Sequence, residues 1–465
     1  MKIYNTLTKQ IEEFKSIKPG IVKMYTCGPT VYHYAHIGNI RTYIFEDVLE
    51  KTLNYIGYDV KRVMNITDVG HLADDSDTGE DKMLKAAKRD NMSVREIAEF
   101  YTKEFYKDID SVNVKRPEII SKATDNIDEY IKVVETLLDK GYAYKSNGNI
   151  YFDVDKYPDY YKLSGINKDD LLVGVRDDVE EDSNKHNPAD FGLWFTNSKF
   201  DHQALKWDSP FGEGYPGWHI ECSCIAMKYL GNNIDIHCGG VDNIFPHHSN
   251  EIAQSECYLG HKWCNYWIHS SHLNDKFGKM SKSNGEFLTI KSLIDKGYDP
   301  LIYRLLCLQS HYRNNLVFSY EAMDNAKNTY DKLVSKISNI KDTKEDINQE
   351  LVNDYINKFT LSLENDLNTT NTITYLFDIL KDNNLNNSSK LYLIKEYDKV
   401  LSLDLIKKNK EISDELKLKV NELIEKRQKL KEDKKYEEAD KIRDEILSLG
   451  AEIKDTREGT VIKWI

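Results

Sequence analysis

No apolar run in the chain approaches the ~18 residues that a membrane-spanning helix needs. The opening residues, MKIYNTLTKQIEEFK, have neither an apolar core nor a cleavage-like site, so no secretory signal is expected. Cysteine is scarce: seven in 465 residues, an odd number scattered along the chain. That excludes a disulfide framework and fits a reducing cytoplasm, where thiols serve metals, catalysis or packing. Internal repeats and low-complexity tracts are missing too, beyond a general richness in Asn, Lys and Ile. An excess of positive charge is also lacking. The formal charge of −13 argues against a simple nucleic-acid binder, but binding depends on local charge. Residues 401–465 hold 16 Lys+Arg and 16 Asp+Glu, so the acidity lies in the first 400 residues and the tail permits an RNA contact.

What is present reads as a globular protein, 40% hydrophobic and 30% charged, long enough for two to four domains. IVKMYTCG (21–28) reads as a buried strand, Asn39 to Tyr55 as a helix stopped by Gly57, and DVKRVMNIT (59–67) as a second strand. Strand, helix, strand is a βαβ unit and predicts a parallel sheet. Ser93-Val94-Arg95-Glu96 is a capping box that opens a helix through Ile97, Tyr101, Phe105 and Ile109. Further helices are expected over Thr124 to Lys140 and from about Pro246 to Leu259. Strands are expected at 148–154, 232–240 and 266–273, with a polar loop from Asp177 to Asn187. From Ser319 glycine vanishes until Gly450, and an all-helical C-terminal region follows, broken at 341–350 and ending in a charged helix or hairpin from Asp414 to Leu449. The charges of that last stretch read first as a solvated face.

Three clusters carry chemistry. YTCGPTVYHYAHIGNIR (25–41) runs from a strand end into a helix start, where free N–H groups and the helix dipole receive anions. Gly38 lets a base or phosphate approach the backbone, and His36 and Asn39 offer donors; a helix-start histidine can equally be structural. KMSKS (279–283), between Gly278 and Gly285, makes a cationic loop suited to a triphosphate, or an ordinary surface loop. Finally, Cys27, Cys222, His247 and Glu251 form a donor set suited to Zn²⁺, the last two four apart on one helix face. Cys224, Cys238 and His248 compete for the same role, and a buried cysteine can be a small hydrophobe.

Together the HIGN and KMSKS motifs resemble the two signatures of class I aminoacyl-tRNA synthetases. The whole chain is similar to the cysteinyl-tRNA synthetase family, through MYTCGPTVYHYAHIGNIR, KWDSPFGEGYPGWHIECS, DIHCGGVDNIFPHHSNEIAQSE, GKMSKSNG, HYRNNLVFSYEAMDNAK and YEEADKIRDEILSLGAEIKDTREGT. The resemblance implies one zinc held by Cys27, Cys222, His247 and Glu251, with Thr67 and Trp218 contacting the substrate cysteine. It implies ATP, with Mg²⁺, at His36, Gly38, Asn39, Asp242 and Lys282, and phosphate neutralisation by His36, Asn39, Lys279 and Lys282. Asp242, after Gly239-Gly240, is read as a ribose contact. The expected partners are cysteine, ATP and the cysteine tRNA, the expected state a monomer.

The implied fold is α/β: a Rossmann-type parallel-sheet catalytic domain (1–120 and 205–270) with a connective insertion (121–204). A stem-contact region bearing KMSKS (271–318), an all-α helical bundle (319–405) and a small anticodon-binding domain (406–465) follow. A pocket wall alone separates cysteine from serine only roughly 10- to 200-fold, whereas a thiol ionises on a metal far more readily than an alcohol. A selecting zinc therefore removes the need for an editing domain. Three departures stand out: Asn39 where many relatives have His, a long acidic stretch at 67–83, and Ser249 where an acid is usual. None removes an expected ligand. Two rivals are a cysteine ligase of the mycothiol type, which is shorter and lacks the C-terminal tail, and a non-catalytic zinc-bearing RNA-binding paralogue.

Overall fold

The structure, a computed structural model, describes residues 1–69, 82–166, 185–197, 205–217, 219–275, 278–279, 287–406, 414–433, 435–449, 451–456 and 459–464. The chain opens with an antiparallel pair, β1 (Lys2–Asn5) and β2 (Gln10–Glu13). A βαβ unit follows: β3 (Ile21–Thr26), α1 (Ile37–Tyr55) and β4 (Asp59–Ile66), with Gly57 at φ 102° just past the helix. Next come α2 (Lys82–Asp90), α3 (Val94–Ser111) and β5 (Ile119–Lys122). The Ser93–Glu96 capping box forms as expected, each partner satisfying the other's backbone N–H.

Helix α4 (Ile127–Asp139) packs on an antiparallel sheet of β6 (Ala143–Ser146), β7 (Asn149–Phe152), β8 (Phe191–Phe195) and β9 (Tyr215–Pro216). Most of the polar loop expected at 177–187, and the acidic stretch 70–81, lie outside the described residues. Helix α5 (His219–Leu230), β10 (Ile234–Gly240), α6 (Ser249–Leu259) and β11 (Cys264–Ser270) follow.

The five core strands form one parallel sheet in the order β11-β10-β3-β4-β5. Both faces are covered, which is why β3 is mostly apolar and buried apart from Ile21 and Lys23 near its start. Val22 and Met24 meet Phe45, Leu49 and Leu53 of α1 on one face. Tyr25 meets Cys222, Ile225 and Ala226 of α5 on the other.

One expected strand, 266–273, is two. The chain leaves the parallel sheet at Ser271–His272, and β12 (Leu273–Asp275) joins a separate sheet with β13 (Gly278–Lys279). Arg41 of α1 explains the break, because its guanidinium donates to the carbonyls of Ser271, His272 and Asn314. After α7 (Ile290–Asp295) and α8 (Pro300–Leu308), β14 (Leu316–Val317) pairs with β12. Helices α9 (Tyr320–Ser338), α10 (Gln349–Glu364), α11 (Thr369–Lys381) and α12 (Asn387–Leu401) follow.

The chain divides into two units, Met1–Leu405 and Ile406–Ile465. The second is not all helical. After α13 (Asp414–Glu432) and α14 (Tyr436–Ser448), β15 (Ala451–Thr456) and β16 (Gly459–Trp464) make an antiparallel hairpin. Alternating Ala451 and Ile453 are buried against Ile442 and Ile446, a period-two pattern that general Lys/Ile/Glu texture conceals. Among the described residues no helix is long and apolar enough to cross a membrane.

Three acids of α1 are buried, and each has a cation from elsewhere in the chain. Glu46 and Glu50 pair with Arg62 of β4 at 2.9 and 3.3 Å. Asp47 pairs with Arg304 of α8 at 2.6 Å and with Lys51 at 2.7 Å. Arg304 also donates to the carbonyls of Val112 and Leu401, so α1, α8, α12 and the end of α3 meet at one charged node.

Candidate active site

Strand order sets the site. From β3 the chain crosses to β4 on one side, while β10 lies on the other, so the C-terminal ends of β3 and β10 flank a switch point, the usual ligand crevice of an open α/β sheet. Cys27 stands there, its N–H bonded to the carbonyl of Cys238 at 3.4 Å. This position answers why a cysteine ends a buried strand: it reaches out of the sheet toward α5 and α6.

Cys222 comes from the first turn of α5, and Glu251 from the first turn of α6, with His247 in the irregular turn before it. Their four ligand atoms lie within 4.8 Å of one another. The two sulfurs are 3.8 Å apart, and His247 Nε2 is 3.7 Å from Cys27 Sγ and 3.5 Å from Cys222 Sγ. Glu251 Oε1 is 3.1 Å from His247 Nε2. Tetrahedral zinc with Zn–S ~2.3 Å and Zn–N ~2.05 Å requires S···S edges of ~3.8 Å and S···N edges of ~3.5 Å. The donor set and its spacing therefore fit a zinc ion.

The alternatives separate. Cys224 Sγ faces the carbonyl of Glu129, and Cys238 is packed in the sheet core against Met24 and Ile268. His248 does approach: its Nε2 is 3.3 Å from Cys27 Sγ, and Cys27, His237, His248 and Glu251 form a second grouping that shares two members with the first. Several supports were missed by spacing. His219 Nδ1 lies 3.0 Å from His247 Nδ1, which turns His247 Nε2 toward the sulfurs. His237 Nε2 meets Glu251 Oε2 at 2.9 Å, leaving Oε1 to the cluster, and His269 Nε2 holds His248 Nδ1 at 2.7 Å. Such outer partners orient metal ligands. Only the His/Cys density of the sequence hinted at them.

Burial shapes the charges. It pushes the Cys27 and Cys222 thiols up and the Glu251 carboxyl up to about 8. It pushes His247 down to about 4. At pH 7 the metal-free cluster thus holds about three protons, on Cys27, Cys222 and Glu251, and His247 is already neutral. Zinc must displace those protons, so its affinity is expected to rise with pH between 6 and 8. Calorimetry in buffers of different protonation enthalpy measures the protons released. An affinity flat over that range would contradict these protonation states.

The HIGN segment forms the start of α1. His36 is the N-cap of α1, and its Nδ1 accepts from the Gly38 N–H at 3.0 Å. Nδ1 is therefore unprotonated, and Nε2 carries the hydrogen. Asn39 is exposed at the helix start. Asp242 follows β10 in a short turn, mostly exposed and 3.5 Å from His272 Nδ1. At Gly239 a Cβ would come within 2.9 Å of the His248 ring, so glycine is required for that ring to sit beside Cys27. Lys279 lies on β13, opposite Asn274. Trp218 and Lys282 lie outside the described residues. Thr67 is buried, hydrogen bonded to Asn65 and Glu221.

Residues 13–328 match the family of tRNA synthetases class I (C), catalytic domain. The chain belongs to this cysteinyl-tRNA synthetase family. The cysteine--tRNA ligase of Treponema denticola is 47% identical over 430 residues, covering 88% of this chain and 87% of that protein. The cysteine--tRNA ligase of Borreliella burgdorferi is 42% identical over 479 residues, covering 100% and 99%. Among solved structures, a Mycobacterium tuberculosis methionyl-tRNA synthetase in complex with methionyl-adenylate superposes with a TM-score of 0.54 at 12% identity. It covers 83% of this chain and 91% of that one, and shows a shared fold. The α/β parallel-sheet class expected of the family is the class observed.

Proposed function

We propose that this chain attaches cysteine to its tRNA in two steps at the end of the parallel sheet. The observation that carries the reading is the Cys27–Cys222–His247–Glu251 cluster beside the nucleotide turn, in a chain related over its full length to cysteine--tRNA ligases. In the first step the cysteine carboxylate attacks the α-phosphate of ATP, and pyrophosphate leaves. In the second the terminal ribose hydroxyl of the cysteine tRNA attacks the adenylate carbonyl, and AMP leaves.

The work of the protein is positioning and charge stabilisation. A zinc ion held by Cys27, Cys222, His247 and Glu251 would supply a soft Lewis acid on which a thiol ionises and an alcohol does not. Cys27 thus serves both the metal and the amino-acid pocket, where Thr67 and Trp218 complete the cysteine contacts. His36 presents its Nε2–H to a phosphate oxygen because its Nδ1 is committed to Gly38. Gly38 and Asn39 extend that surface, and Asp242 receives the ribose. Lys279 and Lys282 neutralise the departing pyrophosphate, Lys282 most directly, and Mg²⁺ accompanies ATP. The insertion at 121–204, the stem-contact region at 271–318, the bundle at 319–405 and the unit at 406–465 carry the tRNA contacts, the last at the anticodon. A cytoplasmic monomer completes the reading.

The test is ATP–pyrophosphate exchange with cysteine and with serine, on protein of measured zinc content, with and without a chelator. Exchange with cysteine only, lost on chelation, supports the reading, and charging of the cysteine tRNA excludes a ligase that joins cysteine to a sugar amine. Equal exchange with serine, or indifference to the chelator, overturns the metal-selection argument.

A further inference from the structure

Four arginines are buried among the described residues, and three of them have an acid. Arg62 pairs with Glu46 and Glu50, Arg304 with Asp47, and Arg427 with Asp455. Arg41 is the exception. It is 3% exposed, and no described carboxylate pairs with it. The ionisable groups it faces are Cys307 and Tyr303, which burial keeps protonated: the Cys307 thiol is pushed up to about 11, and the Tyr303 phenol well above its ordinary value. The Arg41 guanidinium donates to the carbonyls of Ser271, His272 and Asn314. Carbonyls are dipoles, not charges, and these take three of the five N–H hydrogens. The Nε hydrogen and one Nη2 hydrogen have no acceptor among the described residues.

Arg41 lines a cavity of about 30 Å³ between α1 and α8. Apolar side chains, Phe45 and Leu308 among them, make up much of its wall. Most of the polar groups there are committed. Thr369 donates to the Leu308 carbonyl, Tyr312 donates to Asp366, and Ser270 shares a hydrogen with Thr42. Asp366, the acid that Tyr312 reaches, is already paired with Arg313 at 2.6 Å. The Ser310 hydroxyl also lines the cavity, and among the described residues it has no partner, so it is free to donate. The cavity thus offers a buried cation, spare N–H and O–H donors, and no anion.

We propose that this cavity binds one chloride-sized halide ion as the counter-ion of Arg41. The volume takes one or two waters or a halide, and it is too small for a phosphate or a carboxylate metabolite. Water would satisfy a donor but bring no charge. A buried cation is costly until an opposite charge stands beside it, and a halide supplies that charge while accepting from several donors at once. The ion would also stiffen the grip of Arg41 on the carbonyls where β12 begins, which makes it a structural ion of the joint between α1 and that strand. Such a site is independent of the reaction proposed above.

The test melts the zinc-loaded full-length chain in sodium chloride, sodium bromide and sodium gluconate at one ionic strength, gluconate being too large for the cavity. Both halides are expected to raise the midpoint by about 2–4 °C over gluconate, along a saturating curve. Crystals soaked in bromide are expected to show an anomalous peak in the cavity, against the Arg41 guanidinium. Arg41→Met is expected to abolish the halide effect. Ser310→Ala, which removes one spare donor and leaves the Arg41 clamp whole, is expected to move half-saturation to chloride concentrations about 3- to 10-fold higher, and it serves if Arg41→Met does not fold. Equal melting in the three salts, a halide effect that neither variant changes, or bromide at the zinc alone overturns the site. A peak in the cavity without stabilisation in solution marks an adventitious ion only and overturns it as well.

Discussion

Cys222→Ser protein is expected to lose cysteine-dependent pyrophosphate exchange on the order of a thousandfold. The sulfur at 222 is one of two in the cluster, 3.8 Å from Cys27 Sγ and 3.5 Å from His247 Nε2. A serine oxygen in its place stays protonated and is a poor partner for a soft metal, so zinc affinity should fall more than ~100-fold. A Lewis acid is worth several kcal/mol at the charge it stabilises, and each ~1.4 kcal/mol is a factor of ten. Stability in the absence of metal should change little, since oxygen is smaller than sulfur and the site collapses onto it. Zinc content by atomic emission, exchange kinetics and a urea melt on the metal-free protein separate these effects. Full zinc occupancy in the variant would remove Cys222 from the ligand set.

The second large effect is on stability. Arg304→Met is expected to cost about 3–5 kcal/mol, because it leaves Asp47 buried with a single cation, Lys51, and strips the donor from the Val112 and Leu401 carbonyls. Arg304 and Asp47 are both fully enclosed, so water cannot replace the lost partner. The double variant Asp47→Leu with Arg304→Met should recover only part of that loss, since it removes the unpaired acid but leaves Lys51 without its carboxylate and the Val112 and Leu401 carbonyls without a donor. Denaturant unfolding measures both. A loss below about 1 kcal/mol for the single variant would show that the node is wetter than its burial indicates.

These two sites differ in how far sequence reveals them. Cys27, His247 and Glu251 stand at positions a reader can interpret: a strand end before a helix, and two donors four apart, although the helix expected to carry both begins only at Ser249 and leaves His247 in the turn before it. Their partner Cys222 is legible once a third element is expected nearby. His237 and His269 are not, because their roles arise where β10, β11 and α6 converge, and pairwise spacing along the chain is silent on that. Asn65 and Glu221, the partners of Thr67, are hidden for a related reason. Each reads as an ordinary strand or helix residue until the sheet order places β4 beside β3. The burial of the three acids of α1 is not visible in the sequence either, because the cations that make it tolerable come from β4, α8 and the segment after α3. The closing hairpin escaped because two short strands of Lys, Ile and Glu share a vocabulary with the helices before them.

Arg41 has a consequence for how the two signature motifs are kept in step. It sits two residues after Asn39, and its fork grips the carbonyls where β12 begins, the strand that pairs with Lys279. Helix α1 therefore behaves as a keyed shaft: the HIGN turn is at its tip and the key engages β12, the strand that pairs with the start of the other motif. Each residue advances a helix by about 100°. An insertion or deletion between Asn39 and Arg41 would turn the key off its slot even though every catalytic side chain remained in the chain. The short interval between motif and clamp is a timing mark, and drift is far easier to absorb almost anywhere in the long stretch that separates the two motifs.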